Sequence, residues 1–192
     1  MILPESKLAH KYLDGLVGLE IGGAAHNPFG LQTRNVDYYA DMTTVFKQHE
    51  IDMCGYAMPV DIAAPGNDLP LPDKSEDFIV SSHVIEHFFD PIAALHEWAR
   101  VARRYIYIIC PLRDALESDR DLPITPLEEL IDRHNGKIAM PCEVEYDYPL
   151  HFTRWTPDGF VEMCNHLGYR VIDSQAIDDK YGNGFAVVIE LL

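Results

Sequence analysis

The run Asp77-Phe78-Ile79-Val80-Ser81-Ser82 constrains this chain more than any other stretch. Its apolar centre lacks alternation, which suits a strand covered by packed layers on both faces. Tyr105-Ile106-Tyr107-Ile108-Ile109-Cys110, closed by Pro111, reads as the next strand. Between them Asp90-Pro91 starts a helix with proline at the first helical position. Ile92, Leu95, Trp98, Ala99 and Ala102 then keep a helical stripe. Strand, helix, strand in that order implies a parallel sheet with helices on its faces.

The rest of the chain repeats the pattern. Residues 7–13 are expected to form a short helix stopped by Asp14-Gly15, and residues 16–21 a strand running into Gly22-Gly23. Asn27-Pro28-Phe29-Gly30 is a further turn signal, so any helix after the first strand is short or displaced. Residues 34–39 read as the second strand, and Thr43 or Thr44 caps a helix to residue 51. A third strand is expected over 59–63. Thr125-Pro126-Leu127-Glu128 reads as a capping box opening a helix to about His134. Thr156-Pro157 opens another, with Phe160, Val161, Cys164 and Leu167 inward and Gly168 as its stop. Strands over 170–177 and 184–192 flank a Gly182-Asn183-Gly184 turn. The expected fold is a single α/β domain over 1–192, a Rossmann-like three-layer sandwich. Its sheet has seven mostly parallel strands and a C-terminal antiparallel hairpin.

A chain of 192 residues suits one domain with a sizeable core. The net charge of -16 argues against a nucleic-acid partner, which needs a basic footprint. Arg100, Arg103 and Arg104, the visible basic cluster, read as a solvated helix end. No run is long enough to cross a bilayer, and the N-terminus lacks the basic start and apolar core of a signal peptide. No membrane partner is expected, and the cytoplasm is the expected compartment. Cys54, Cys110, Cys142 and Cys164 form no CxxC pair, and Cys110 and Cys164 fall on apolar faces as packed free thiols.

The stretch Gly18-Leu19-Glu20-Ile21-Gly22-Gly23-Ala24-Ala25-His26-Asn27 organises the candidate site. Two residues without Cβ let the backbone turn sharply and approach a ligand. Such a turn after the first strand lies outside the carboxyl edge, where α/β sheets bind ligands.

Four segments give the chain its resemblance to class I S-adenosylmethionine-dependent methyltransferases, especially the group that includes ubiquinone-biosynthesis and many small-molecule and glycan-pathway enzymes. They are Leu19-Glu20-Ile21-Gly22-Gly23, Val36-Asp37, Asn67-Asp68-Leu69-Pro70-Leu71-Pro72-Asp73 with Asp77-Phe78-Ile79-Val80, and Ser82-His83-Val84-Ile85-Glu86-His87-Phe88-Phe89-Asp90-Pro91. The resemblance implies S-adenosyl-L-methionine as cofactor. It places Gly22 and Gly23 at the turn, Asp37 on the ribose hydroxyls, and Asp68 and Leu69 beside the adenine. Glu20 either orients the cofactor's ammonium or is structural. Ser82 and His83 complete the expected cofactor set. The sequence departs from the family at Ala24 and His26, where glycines are usual, and near Pro65, where an acidic residue is usual. It also lacks the Pro-Gly-Gly turn before strand five.

His83, Glu86 and His87 are spaced i, i+3, i+4 and share a face if helical. His83, His87 and the later His151 are the candidate catalytic residues. An imidazole suits the base that a hydroxyl acceptor would need. Three imidazoles with one carboxylate also suit a zinc-like ion. The same spacing is common in family members without a metal, and none is expected. Residues 113–148, with Arg113, Arg120, Arg133, Tyr146 and Tyr148, read as a substrate-side insertion or a solvated lid. The expected function is methyl transfer to a small polar acceptor at oxygen or nitrogen. The alternatives are a degenerate cofactor-binding or interaction module and, weakened by the absent GxGxxG, a nicotinamide enzyme.

Overall fold

The computed structural model describes residues 2–117, 119–141 and 151–191. Its elements run α1 (Lys7–Leu13), β1 (Val17–Ile21), β2 (Gln32–Asp37), α2 (Val45–Cys54), β3 (Ile62–Ala63), β4 (Glu76–Ser82), α3 (Pro91–Val101), β5 (Ala102–Pro111), α4 (Leu127–His134), α5 (Pro157–His166), β6 (Arg170–Gln175) and β7 (Gly184–Glu190). The strands form one sheet in the order β3-β2-β1-β4-β5-β7-β6. The pairs from β3 across to β5 are parallel. Strand β7 runs antiparallel to both neighbours.

The uninterrupted apolar centres of the middle strands have the cause expected of them. Ile79, Ile106, Ile108, Cys110, Phe185, Val187 and Ile189 join one core cluster with Leu95 and Trp98 of α3 and Phe160 of α5. Phe78, Val80, Tyr107, Ile109, Ala186 and Val188, from the opposite face, pack against Leu8, Ala9 and Leu13 of α1 and against Phe29. No helix lies between β1 and β2. The loop after Gly23 leaves that face to α1, which precedes the sheet, and to Phe29. Cys110 and Cys164 are buried free thiols, whereas Cys142 lies outside the described residues.

Several boundaries differ from expectation for identifiable reasons. Strand β2 begins two residues early because Val17 pairs with Gln32. It ends at Asp37, whose own carboxylate accepts from Tyr38 N at 2.7 Å. Strand β3 is only two residues long. Helix α3 passes into β5 with no connecting loop, and the Lys74 ammonium donates to Ala99 O at 2.9 Å and Ala102 O at 3.0 Å, covering the helix end. Thr125 does not cap α4. Pro126 is the N-cap residue and makes no side-chain cap. Thr125 Oγ1 instead accepts from Arg154 N at 3.1 Å, tying the approach to α4 to the chain before α5. Arg100 and Arg103 are engaged by Glu97, Asp73 and Asp77 in surface ion pairs.

Helix α2 is turned inside out. Its buried residues are Lys47 and Glu50, while Val45 is 80% and Phe46 62% exposed. Thr44 caps it, accepting from Lys47 N at 3.3 Å. The buried polar face is directed at the glycine turn.

Candidate functional site

The chain passes from β1 outward to β2 and β3, then returns to the other side of β1 as β4. That reversal opens a crevice beyond the carboxyl ends of β1 and β4, the place where open α/β sheets bind ligands. Gly22 follows β1 with φ +68°, and a Cβ there would lie 2.6 Å from Val84 Cγ2. Gly23 N donates to Asn35 Oδ1 at 2.9 Å. A Cβ on Gly23 would lie within 3 Å of Asn35, Met58 and Glu20 atoms. Gly22 is held to glycine by its left-handed backbone and the Val84 contact, whereas a Cβ on Gly23 would displace three side-chain ends.

Asp37, at the end of β2, is 30% exposed at its side chain and lies 3.5 Å from Lys47 Nζ. The same ammonium pairs with Glu50 at 2.8 Å and is almost wholly buried. The second Glu50 oxygen accepts from Ala25 N and Met58 N, each at 2.8 Å. Glu20 is buried beside them. Burial pushes its carboxyl up to about 7, against the opposing pull of Lys180, the Thr33 hydroxyl and Lys47. Asp68 is exposed and Leu69 buried. Leu69 N donates to Glu97 at 2.6 Å, and Trp98 Nε1 donates to Gly66 O at 2.7 Å. Helix α3 thus fixes the loop that carries the expected adenine contacts.

At the end of β4, Ser82 Oγ accepts from Asn27 Nδ2 at 3.1 Å. His83 follows with φ +56°, held by its N–H to Ile109 O at 2.9 Å. A non-glycine residue in that region marks local strain of the kind that collects at functional sites. Burial pushes its imidazole down to about 4, with Asp178 opposing.

The next turn, Ile85–His87, is a single 3-10 turn rather than an α-helix. The cluster gathers all the same. His83 Nδ1, His87 Nε2 and His151 Nε2 each lie 3.9 Å from Glu86 Oε1. Glu86 is fully buried, and burial pushes its carboxyl up to about 8, with a backbone hydrogen bond opposing and Asp119 reinforcing. His151 reaches it because Phe152 N donates to Glu86 O at 2.9 Å. The other His151 nitrogen, Nδ1, lies 2.5 Å from Asp119 Oδ2, and both residues are buried.

Asp119 is the residue that the sequence reading missed. It sits 32 positions from its partner, in an aspartate-rich stretch where no periodicity singles it out. Of the arginines expected near a substrate, Arg133 is engaged structurally: it donates to Phe152 O at 3.0 Å and lies over the Phe89 ring. Arg113 and Arg120 are exposed. Tyr146 and Tyr148 lie outside the described residues.

A glycine turn and a strand-end carboxylate at a sheet reversal are the features with which Rossmann-like α/β sheets hold a nucleoside cofactor, and here a histidine-rich turn follows β4. The comparisons make that likeness specific. A family profile described as a methyltransferase domain matches residues 17–110. Through that segment, just under half of its length, the chain is similar to the class I S-adenosylmethionine-dependent methyltransferases, whose cofactor is S-adenosyl-L-methionine. A curated relative of Mycobacterium tuberculosis, described as a probable S-adenosylmethionine-dependent methyltransferase, is 41% identical over 61 residues, which are 31% of this chain and 22% of the relative. The match thus spans about a fifth of that protein.

Among solved structures, a methyltransferase from Methanosarcina mazei superposes with a TM-score of 0.57 at 15% identity, covering 100% of this chain and 99% of that one. One from Aquifex aeolicus gives 0.51 at 17% identity, covering 98% and 95%. The magnesium protoporphyrin IX methyltransferase of Synechocystis, solved with S-adenosylhomocysteine, gives 0.54 at 12% identity, covering 96% and 78%. These likenesses establish the fold. Among the described residues, no helix is long and apolar enough to cross a membrane.

Proposed function

We propose that this protein transfers a methyl group to a small polar acceptor at oxygen or nitrogen. The observation that carries the reading is the Asp37 carboxylate, partly open at the end of β2 beside the turn at Gly22, whose left-handed backbone favours glycine. One carboxylate there can accept both hydroxyls of a ribose. Leu69 and Asp68 would stand on the adenine side, Gly22 and Gly23 beneath the cofactor, and Ser82 and His83 beside its reactive end. Glu20 would support the turn from below.

The cofactor supplies the methyl group; the chain's own task is to hold the acceptor in line and exclude water, since orientation provides much of the acceleration in such displacements. A hydroxyl acceptor also needs a proton acceptor, and His83, His87 and His151 are the candidates. The described part of the expected substrate-side insertion, up to residue 141, would stand on the acceptor side, a part that Asp119 supports by reaching back to His151.

A second reading, a module that has kept the fold without the chemistry, draws on one observation. Ala25 N, which in a ligand cradle would be open, is already bonded to Glu50, and Lys47 already faces Asp37. Calorimetric titration with S-adenosylmethionine and S-adenosylhomocysteine, on the parent and on Asp37→Ala, separates the two. Micromolar binding lost in the variant supports the methyltransferase. No binding at millimolar cofactor leaves the degenerate module. Once an acceptor is known, a folded His87→Ala or His83→Ala protein that binds cofactor but turns over about a hundredfold more slowly identifies the base.

A further inference from the structure

Both carboxylate oxygens of Glu86 are buried and meet no hydrogen-bond partner beyond the residue's own backbone. Leaving such a group unsatisfied is costly, and proteins seldom do so without a use for it. Two imidazole nitrogens face the same oxygen, His87 Nε2 and His151 Nε2, each at 3.9 Å. The three donor atoms all lie within 4.8 Å of one another. These separations are too long for hydrogen bonds. The two distances to Glu86 are close to what one ion would impose, because donors ~2.1 Å from a tetrahedral metal stand ~3.4 Å apart; the two imidazoles, within 4.8 Å, must close further. Closing each 3.9 Å gap takes about half an ångström.

The fourth element of the arrangement is Asp119. Its carboxylate at 2.5 Å from His151 Nδ1 fixes the ring and its tautomer, leaving Nε2 with its lone pair toward Glu86. A carboxylate behind a histidine is the usual support of a metal ligand.

We propose that Glu86, His87 and His151 bind one divalent transition-metal ion of the zinc type, with Asp119 supporting His151. Two imidazoles and a carboxylate favour zinc, cobalt or iron over magnesium or calcium, whose sites are built from oxygen. Among the described residues the donors number three, a set that leaves a position open. His87 is the half-buried member of the three, so an acceptor would reach the open position from its side and take it with a hydroxyl oxygen. This use of the ion rests on the methyl-transfer reading; the binding of the ion does not. His83 stands outside the donor set and remains the imidazole available as a base. The inference replaces the sequence expectation of no metal.

The test uses the full chain, stripped with chelator and dialysed. It is titrated with Co²⁺, followed by visible absorption, and with Zn²⁺ by calorimetry. One equivalent should bind at micromolar concentration or tighter. Glu86→Gln and His87→Ala, each checked for fold by circular dichroism, should lose most of that affinity. Asp119→Asn should weaken it by about 10–100-fold. His166→Ala, at the exposed end of α5, should bind as the parent does. Binding below about a tenth of an equivalent, or parent affinity in folded Glu86→Gln and His87→Ala proteins, overturns the site. S-adenosylmethionine binding to the same stripped protein is measured separately. Its absence counts against the methyltransferase reading and leaves the metal result standing.

Discussion

The Lys47 ammonium lies 2.8 Å from Glu50 and 3.5 Å from Asp37, and only 1% of the lysine side chain is exposed. A cation buried between two carboxylates holds the crevice wall together and sets the direction of the group expected to meet the ribose. Removing it leaves Glu50 buried and uncompensated. Lys47→Met should therefore lower stability by about 3 kcal/mol in denaturant unfolding, and a Lys47→Met/Glu50→Gln double variant should recover part of the loss.

Gly22 tolerates no side chain on two counts, its φ of +68° and the Val84 methyl 2.6 Å from the site of a Cβ. The left-handed backbone alone costs about 1–2 kcal/mol in any other L-residue, and the collision adds to it. Gly22→Ala should lose more stability than Gly15→Ala, where φ is +76° but the space is open. Thermal unfolding of the two variants side by side isolates the contribution of the contact.

Asp178, which also acts on the His83 imidazole, carries a dependence of stability on acidity. Burial alone would raise its carboxyl, but backbone N–H groups of Tyr181, Gly184, Gly182 and Lys180 outweigh it and hold the group below its ordinary value. A carboxyl depressed in the folded state stabilises the protein above the unfolded-state pKa, and that contribution disappears as pH falls through the folded one. Asp178→Asn should cost about 2 kcal/mol near neutrality, and the gap from the parent should narrow below about pH 4. Urea midpoints at several pH values measure the gap directly.

Trp98 joins α3 to the loop before Leu69 by its bond to Gly66 O at 2.7 Å, and its ring is fully buried. Trp98→Phe keeps an aromatic ring and loses the donor. It should cost about 1–2 kcal/mol and speed hydrogen exchange at the Leu69 amide.

Sheet architecture was legible because it depends on local features: apolar runs ended by turns for β4 and β5, a proline-led stripe for α3, and glycines that stop the chain. The strand-end positions of Gly22, Asp37 and His83 followed from the same features. Lys47 was not legible, since a lysine beside Val45 and Phe46 reads as the wet side of a helix. Its burial depends on carboxylates that only tertiary structure brings near. Asp119 escaped for a related reason, as its partner is remote and its neighbours are equally acidic. The Thr125 capping box was a correct local motif overridden by a pairing with Arg154, a competition that sequence spacing cannot decide.

The reversed polarity of α2 also bears on how the protein behaves in concentrated solution. Val45 and Phe46, and Tyr38 and Tyr39 in the chain before the helix, are exposed apolar side chains, while a net charge of -16 keeps separate molecules apart. Colloidal stability therefore depends on ionised carboxylates more than on a wettable surface. Acidification or high salt weakens that repulsion, so self-association should begin through this helix while the fold itself is still intact.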